Sequence, residues 1–104
     1  MKIYISGKIG DLPEAEVAAK FEHARRQVEA FGHEPVSPLN NGLDSAAPWE
    51  DHMGADIAMM LKCDAVYMLT DWGNSRGARI EHGIAHEMGM DIILQAQFAE
   101  YKPK

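Results

Sequence analysis

The chain has 104 residues, 46% of them hydrophobic and 25% charged, which is ordinary for one globular domain. We therefore predict a single domain over residues 1–104. The formal net charge of −6 argues against a nucleic-acid polymer as a partner, because proteins that bind the phosphate backbone need clustered Lys and Arg. The one cysteine, Cys63, excludes an internal disulfide and fits a reducing compartment.

Neither export nor membrane insertion is expected from this sequence. The first residues, MKIYISG, contain no long apolar stretch of the kind found in a signal peptide. No run approaches the roughly 18 apolar residues that a membrane span needs. We predict a cytoplasmic protein with no membrane partner.

The first third of the chain has the pattern strand, helix, strand. Residues 3–6 are β-prone and lead into a glycine-containing loop at 7–10. A helix begins at Pro13 and ends at Gly32. Its apolar stripe is formed by Val17, Phe21, Ala24, Val28 and Phe31. Residues 33–37 predict a short strand at a sheet edge, because the segment contains a proline.

The remaining elements continue this alternation. Residues 38–48 are rich in turn formers and predict a long loop, which in a compact domain is often functional. Helices are predicted over 49–62 and 76–88, and strands over 65–69 and 91–94. The third strand is apolar throughout, as in parallel sheets covered on both faces. The polar tail after residue 95 is predicted to be loose.

The order βαβαβαβ predicts a three-layer α/β/α fold of flavodoxin-like or Rossmann-like type. The sheet is expected to have about four parallel strands in the order 2-1-3-4. In such sheets the ligand binds beyond the carboxyl ends of the strands at the topological switch point. The loops at 7–10 and 71–77, which follow the first and third strands, are therefore the expected site.

The strongest local motif is NSRGARIEHGIA at residues 74–85. Ser75 at a helix N-terminus predicts an anion site, and Glu81 lies on the same helix face as Ser75 and Ala78. A glutamate among Gly, Ala and Ile is not typical of a solvated surface, so Glu81 is a catalytic candidate. The alternative is an ion pair with Arg79 or a plain surface position.

Other candidates are less specific. Asp56, between apolar neighbours on the second helix, would reach the same cleft, and two carboxyl groups facing one bond suggest cleavage at an acetal-like carbon. The alternative is that Asp56 is a solvated residue or a helix cap. The Tyr4 hydroxyl either reaches the cleft or satisfies a core partner. Trp72 either stacks on a base or packs as a lid or subunit contact.

Metal binding is not expected. His82 and His86 are four residues apart on a helix, but the pattern H-E-x-x-H is absent because Gly83 follows His82. Cys63 has no evident activating partner and is expected to be a small buried hydrophobe. We predict no cofactor and no metal.

Together these residues resemble the nucleoside 2-deoxyribosyltransferase superfamily, and more narrowly a small DUF4406-type branch of bacterial and phage proteins. The resemblance covers nearly the whole chain. It rests on the order and spacing of five features: the strand IYISG at 3–7, Asp56 eight residues before Asp64, Ser75 with Gly77, EHGIA at 81–85, and Gly89.

The resemblance implies that Glu81 is the nucleophile that attacks C1′ of a 2′-deoxynucleoside or its 5′-monophosphate, giving a covalent glycosyl-enzyme. It implies that Asp56 is the acid that helps the base leave and that Tyr4 orients the nucleophile. Ser75 stands where nucleoside transferases usually carry an acidic residue and nucleotide hydrolases a phosphate-binding serine. The expected substrate-binding residues are Ser6, Gly7, Lys8, Trp72, Asn74, Ser75 and Gly77.

The resemblance also implies a homodimer or higher oligomer that acts on a small nucleoside or nucleotide without a cofactor. Lys8 and Gly10 depart from the serine and arginine that the nucleotide-hydrolysing branch carries after the first strand. Two other functions stay open: a non-catalytic nucleotide-binding or sensor module, and an interaction domain with a vestigial cleft. The presence of Tyr4, Asp56, Ser75 and Glu81 together favours the enzyme.

Overall fold

The structure, a computed structural model, describes residues 1–100. In this part of the chain, strands and helices alternate as predicted. The strands are β1 (Lys2–Ser6), β2 (Glu34–Val36), β3 (Ala65–Met68) and β4 (Asp91–Leu94). The helices are α1 (Glu14–Ala30), α2 (Trp49–Met60) and α3 (Arg76–Glu87). Within residues 1–100 no helix is both long and apolar enough to span a membrane.

The four strands form one parallel sheet in the predicted order β2-β1-β3-β4. β1 and β3 are its inner strands, and β2, which contains Pro35, lies at an edge as predicted. After β1 the chain adds β2 on one side of β1 and then crosses to add β3 on the other side. The topological switch point therefore lies at the carboxyl ends of β1 and β3.

The alternation of side chains along β1 divides the core into two layers. Ile3 and Ile5 pack with the buried face of α1. Tyr4 points the other way, into a cluster with Met60 of α2 and with Ala78 and Ala85 of α3. The predicted three-layer α/β/α architecture is thereby confirmed, and the polar residues of β1 face α2 and α3.

The predicted loose tail is wrong for the residues that the structure describes. Gln95–Glu100 form a 3-10 helix, and Phe98 is only 4% exposed. Its ring meets Tyr67 edge-on at 4.8 Å between centroids and Phe31 at 4.7 Å. The burial of this aromatic side chain, which removes a large apolar area from water, helps to fix this polar segment. The rest of the predicted tail lies outside the described residues.

Phe31 also departs from its predicted place on the apolar stripe of α1. The helix ends at Ala30, and Phe31 follows as its C-cap with 53% of its surface exposed. The other four members of the stripe are buried as predicted. Phe31 contacts the core through the ring of Phe98.

Gly7 permits a close approach between the ends of β1 and β3. A β-carbon built on Gly7 would lie 2.6 Å from Leu69 Cδ1 and 2.9 Å from Leu69 Cβ. The Leu69 N–H donates to the Ser6 carbonyl at 2.8 Å, so the two backbones cannot separate without losing this bond. Gly10, three residues along the same loop, has no heavy atom within 4 Å of an added β-carbon.

We expect Gly7→Ala to lower the free energy of unfolding by about 1–3 kcal/mol, because the added methyl group overpacks the contact with Leu69. Gly10→Ala is the matched control and should change the unfolding free energy by less than about 0.5 kcal/mol. Urea denaturation followed by circular dichroism measures both. Equal stability of the two variants would show that Leu69 moves aside at little cost.

Candidate active site

An open pocket of about 640 Å³ lies at the predicted switch point. Tyr4 of β1 contributes to it, as do the loop after β1 at 7–12 and the N-terminal end of α3 at 74–78. The loop after β2, one side of α2 and the first turns of α1 line the remainder. The volume is in the range of pockets that enclose small-molecule ligands.

Glu81 is the most unusual residue of this pocket, because it is a carboxylate that is only 5% exposed. Tyr4 Oη donates to Glu81 Oε2 at 2.8 Å, and Ser6 Oγ donates to Glu81 Oε1 at 2.7 Å. Tyr4 and Ser6 are two residues apart on β1 and therefore project from the same face. Both carboxylate oxygens thus have a fixed donor and a fixed direction.

Burial raises the pKa of Glu81 to about 7, although the hydrogen bonds from Ser6 and Tyr4 act in the opposite direction. The charge of Asp56 adds to the increase. Burial, followed by the charge of Glu81, raises the pKa of Tyr4 far above its usual range, so its hydroxyl remains a donor. At neutral pH Glu81 is therefore available both as a carboxylate and as an acid.

Asp56 is the second buried carboxyl group of the pocket, with 7% exposure. Burial raises its pKa, while a hydrogen bond from Asn41 lowers it. The donated bond runs from Asn41 Nδ2 to Asp56 Oδ1 at 2.9 Å. The pocket thus combines one carboxyl group oriented by two hydroxyls with another oriented by an amide, a pairing suited to nucleophilic attack and proton transfer.

The N-terminal end of α3 forms one wall of the pocket. Ser75 caps this helix, since its Oγ accepts from the Ala78 N–H at 3.1 Å. The Arg76 guanidinium lies 4.2 Å from the centroid of the Trp49 ring, a cation–π contact between two pocket residues. A β-carbon on Gly77 would lie 3.1 Å from Met53 Sδ, so this glycine lets α2 and α3 approach each other.

The loop after β1 is tied to the loop after β3 through Asp71. The Lys8 N–H donates to Asp71 Oδ1 at 3.0 Å, and Lys20 Nζ forms a salt bridge with Asp71 Oδ2. Burial opposes the charge of Asp71, but these two donors outweigh it and lower its pKa. The two loops predicted to carry the site are therefore held together.

Most of the predicted site residues meet in this pocket. Ser6 lies behind it and contacts Glu81, and the others line it: Tyr4, Gly7, Lys8, Asp56, Asn74, Ser75, Gly77 and Glu81. Trp72 does not line the pocket, and its predicted role in stacking on a base stays a prediction. Its ring stacks on His82 at 4.3 Å between centroids and 10° between planes.

Four residues that line the pocket are not predicted from the sequence to bind a ligand: Asn41, Trp49, His52 and Arg76. Asn41 lies in the 38–48 loop, whose length was the only signal of function. No group of three or more His, Cys, Asp or Glu side chains in the described part of the chain could hold a metal ion. Cys63 is half-buried and donates to the Met59 carbonyl at 3.4 Å.

Comparisons with known proteins agree with this architecture. A family model described as "Domain of unknown function (DUF4406)" matches residues 1–94. A 2-deoxyribosyltransferase from Leishmania mexicana is similar in structure, with a TM-score of 0.69 and 22% identity over 89% of this chain and 62% of that one. A 2-deoxyribosyltransferase from Bacillus psychrosaccharolyticus has a TM-score of 0.70 and 19% identity over 90% and 71% of the two chains.

A conserved protein from Enterococcus faecalis V583 is also similar, with a TM-score of 0.67 and 22% identity over 90% of this chain and 62% of that one. This chain therefore spans less than two thirds of the Leishmania and Enterococcus proteins. No curated protein matches its sequence. The chain belongs to the DUF4406 family, and its fold is that of the 2-deoxyribosyltransferases, as its motifs predict.

Proposed function

We propose that this protein cleaves the N-glycosidic bond of 2′-deoxynucleosides or their 5′-monophosphates, as an N-glycosidase or a deoxyribosyltransferase. One observation carries the proposal: the Glu81 carboxyl group is buried in the pocket, with each oxygen held by a hydroxyl group and with the Asp56 carboxyl group in the same pocket. The fold shared with two 2-deoxyribosyltransferases supports it.

In the first step, a Glu81 oxygen attacks C1′ and forms a glycosyl ester. The bond between C1′ and the base nitrogen breaks, and its electron pair stays with the base. Asp56 donates a proton to the departing base, so that a neutral base leaves. Tyr4 and Ser6 hold the carboxylate in its attacking orientation.

In the second step, Asp56 acts as a base. It removes a proton from water, whose oxygen attacks C1′ and displaces the Glu81 carboxylate, releasing the free sugar. In transfer, a second base replaces water and gives its proton to Asp56. Each cycle restores both carboxyl groups, and the hydroxyls of Tyr4 and Ser6 stabilise Glu81 as it regains its charge.

The N-terminal end of α3 is proposed to bind the 5′ end of the substrate, with a preference for a 5′-phosphate. The exposed peptide N–H groups of a helix N-terminus favour anions. The Ser75 oxygen accepts from Ala78 and leaves its own hydrogen free to donate. Arg76 places a positive charge on the same wall of a pocket that otherwise contains several carboxyl groups.

We expect Glu81→Gln to reduce base release at least about 1000-fold, because an amide cannot act as the nucleophile. The purified protein is incubated with each deoxynucleoside and each 5′-monophosphate, and free base is measured by HPLC. Glu87→Gln, an exposed change on the same helix that does not line the pocket, is the control and should keep full activity.

Base release that persists in Glu81→Gln would refute the proposed nucleophile. Absence of base release by the folded wild-type protein with every substrate would refute the enzyme proposal altogether. In that case, calorimetric titration with the same nucleotides would test the alternative of a non-catalytic nucleotide-binding module.

Glu81→Gln should also stabilise the fold relative to wild type in a pH-dependent manner. The pKa of Glu81 is raised from 4.5 to about 7 in the folded state, so the folded protein binds this proton more tightly. The resulting stabilisation is complete below pH 4.5 and is lost as the pH rises through about 7. The glutamine amide in Glu81→Gln does not titrate, so the variant does not undergo this loss. Its unfolding free energy should therefore rise relative to that of wild type by about 3 kcal/mol between pH 4.5 and about 7.

Urea denaturation at a series of pH values measures this difference. Glu87→Gln again serves as the control and should show no such growth. A difference between Glu81→Gln and wild type that stays constant with pH would mean that the buried carboxyl group is not destabilised by its surroundings.

Ser75→Asp should reverse the preference for phosphate. Aspartate caps a helix as well as serine does, so α3 is preserved. Two like charges about 4 Å apart repel by several kcal/mol near a protein surface, so kcat/KM for a 5′-monophosphate should fall at least about tenfold relative to the nucleoside. Ser75→Asn caps the helix without a charge and should show a smaller change. An equal change in both variants would exclude a phosphate at this position.

A further inference from the structure

Asn41 is held by three hydrogen bonds that use its whole side-chain amide. Its Nδ2 lies 2.9 Å from Asp56 Oδ1 and 2.9 Å from His52 Nδ1. Its Oδ1 accepts from the Leu43 N–H at 3.0 Å. Asn41, His52 and Asp56 all line the pocket.

The partners of Asn41 fix the direction of every bond in this network. The Leu43 N–H can only donate, so the amide oxygen must face it and the amide NH₂ must face Asp56 and His52. His52 Nε2 lies 3.0 Å from the Asp44 carbonyl, which can only accept. The imidazole hydrogen is therefore on Nε2, and Nδ1 is an acceptor for the second amide hydrogen.

This network limits the direction in which Asp56 can donate a proton. Asp56 Oδ1 receives an N–H from Asn41 and therefore cannot present its own proton in that direction. We propose that Asn41 is a positioning residue that makes Oδ2 the proton-donating atom of Asp56, and that His52 and the Leu43 N–H hold Asn41 for this task. The proposal rests on the proposed function, in which Asp56 protonates the departing base.

A purely structural role for Asn41, as a link between the loop and α2, predicts a different result. A loosened loop would slow the reaction of every substrate alike. A misplaced acid would slow only substrates whose base must be protonated in order to leave. A 7-methylated purine deoxynucleoside already carries a positive charge on its base, so its base leaves without a proton.

The experiment compares Asn41→Ala with wild type on 2′-deoxyguanosine and 7-methyl-2′-deoxyguanosine, with free base measured by HPLC. We expect base release from the unmethylated substrate to fall about 10- to 100-fold, since a general acid contributes at least this much, and release from the methylated substrate to fall less than about threefold. Asn40→Ala is the matched control: Asn40 is the adjacent, exposed asparagine, does not line the pocket, and should lose no activity on either substrate.

An equal loss on both substrates, or no loss on either, would overturn the positioning role. His52→Ala should give the same pattern as Asn41→Ala with a smaller loss, because Asn41 then keeps two of its three bonds. Wild-type protein that releases no base from either substrate would instead refute the proposed function.

A second measurement needs no turnover. The hydrogen bond from Asn41 lowers the pKa of Asp56, so removing it should raise that pKa. Carbon-detected NMR titration of the Asp56 carboxyl group should show this increase in Asn41→Ala but not in Asn40→Ala. An unchanged Asp56 pKa in Asn41→Ala would mean that the amide does not orient this carboxyl group in solution.

Discussion

The buried carboxyl group of Glu81 is the feature around which the rest of the site is arranged. Removing a carboxylate from water is costly unless hydrogen bonds replace the lost hydration. Here two hydroxyl groups from one strand do so, at 2.7 and 2.8 Å. A shift of β1 by one residue would turn both hydroxyls towards α1 and leave Glu81 without them. The pairing register of this strand is therefore a condition of both hydrogen bonds to Glu81.

This contact requires α3 to lie close to the sheet. Ala78 and Ala85 flank Glu81 on the buried face of the helix, and their small side chains bring the helix backbone near β1. Gly77 plays the same part between α3 and α2, where a β-carbon would crowd Met53. The small residues of the 74–85 motif thus serve both the packing of α3 and the placement of Glu81, because a larger side chain would displace the carboxyl group from its two donors.

The fold could be predicted because its signals are periodic and each is repeated over several residues. Apolar spacing of three and four indicated α1, and a continuous apolar run indicated β3. Glu81 and Asp56 were recognisable because a charged residue within an apolar pattern departs from its neighbours. Both are buried in the pocket, although their roles remain proposals.

Asn41 gave no such signal, since an asparagine in a polar loop is what a loop ordinarily contains. Its importance depends on bonds to His52 and Asp56, which lie 11 and 15 residues away along the chain. The contacts of the aromatic residues Trp72 and Phe98 likewise could not be predicted from the sequence. A lone ring has no period, so only the folded chain reveals that Trp72 stacks on His82 and that Phe98 enters the core.

The two carboxyl groups are oriented by different kinds of structural element: a strand for Glu81 and a loop for Asp56. The donors to Glu81 lie on β1, which is hydrogen-bonded on both sides within the sheet. The donor to Asp56 comes from the 38–48 loop, which the His52 imidazole contacts at Asn41 Nδ2 and at the Asp44 carbonyl. Under the proposed function, opening of this loop would leave Glu81 held by Tyr4 and Ser6. Asp56 would lose the hydrogen bond from Asn41 that orients it.

In the proposed mechanism Asp56 acts first as an acid and then as a base, so that loop would govern both half-reactions. Departure of the first base and attack by water or a second base would then depend on the same contact with Asn41. The choice between hydrolysis and transfer therefore cannot be set by Glu81, whose surroundings are the same in either case. It would depend on which acceptor occupies the pocket while the loop holds Asp56 in position.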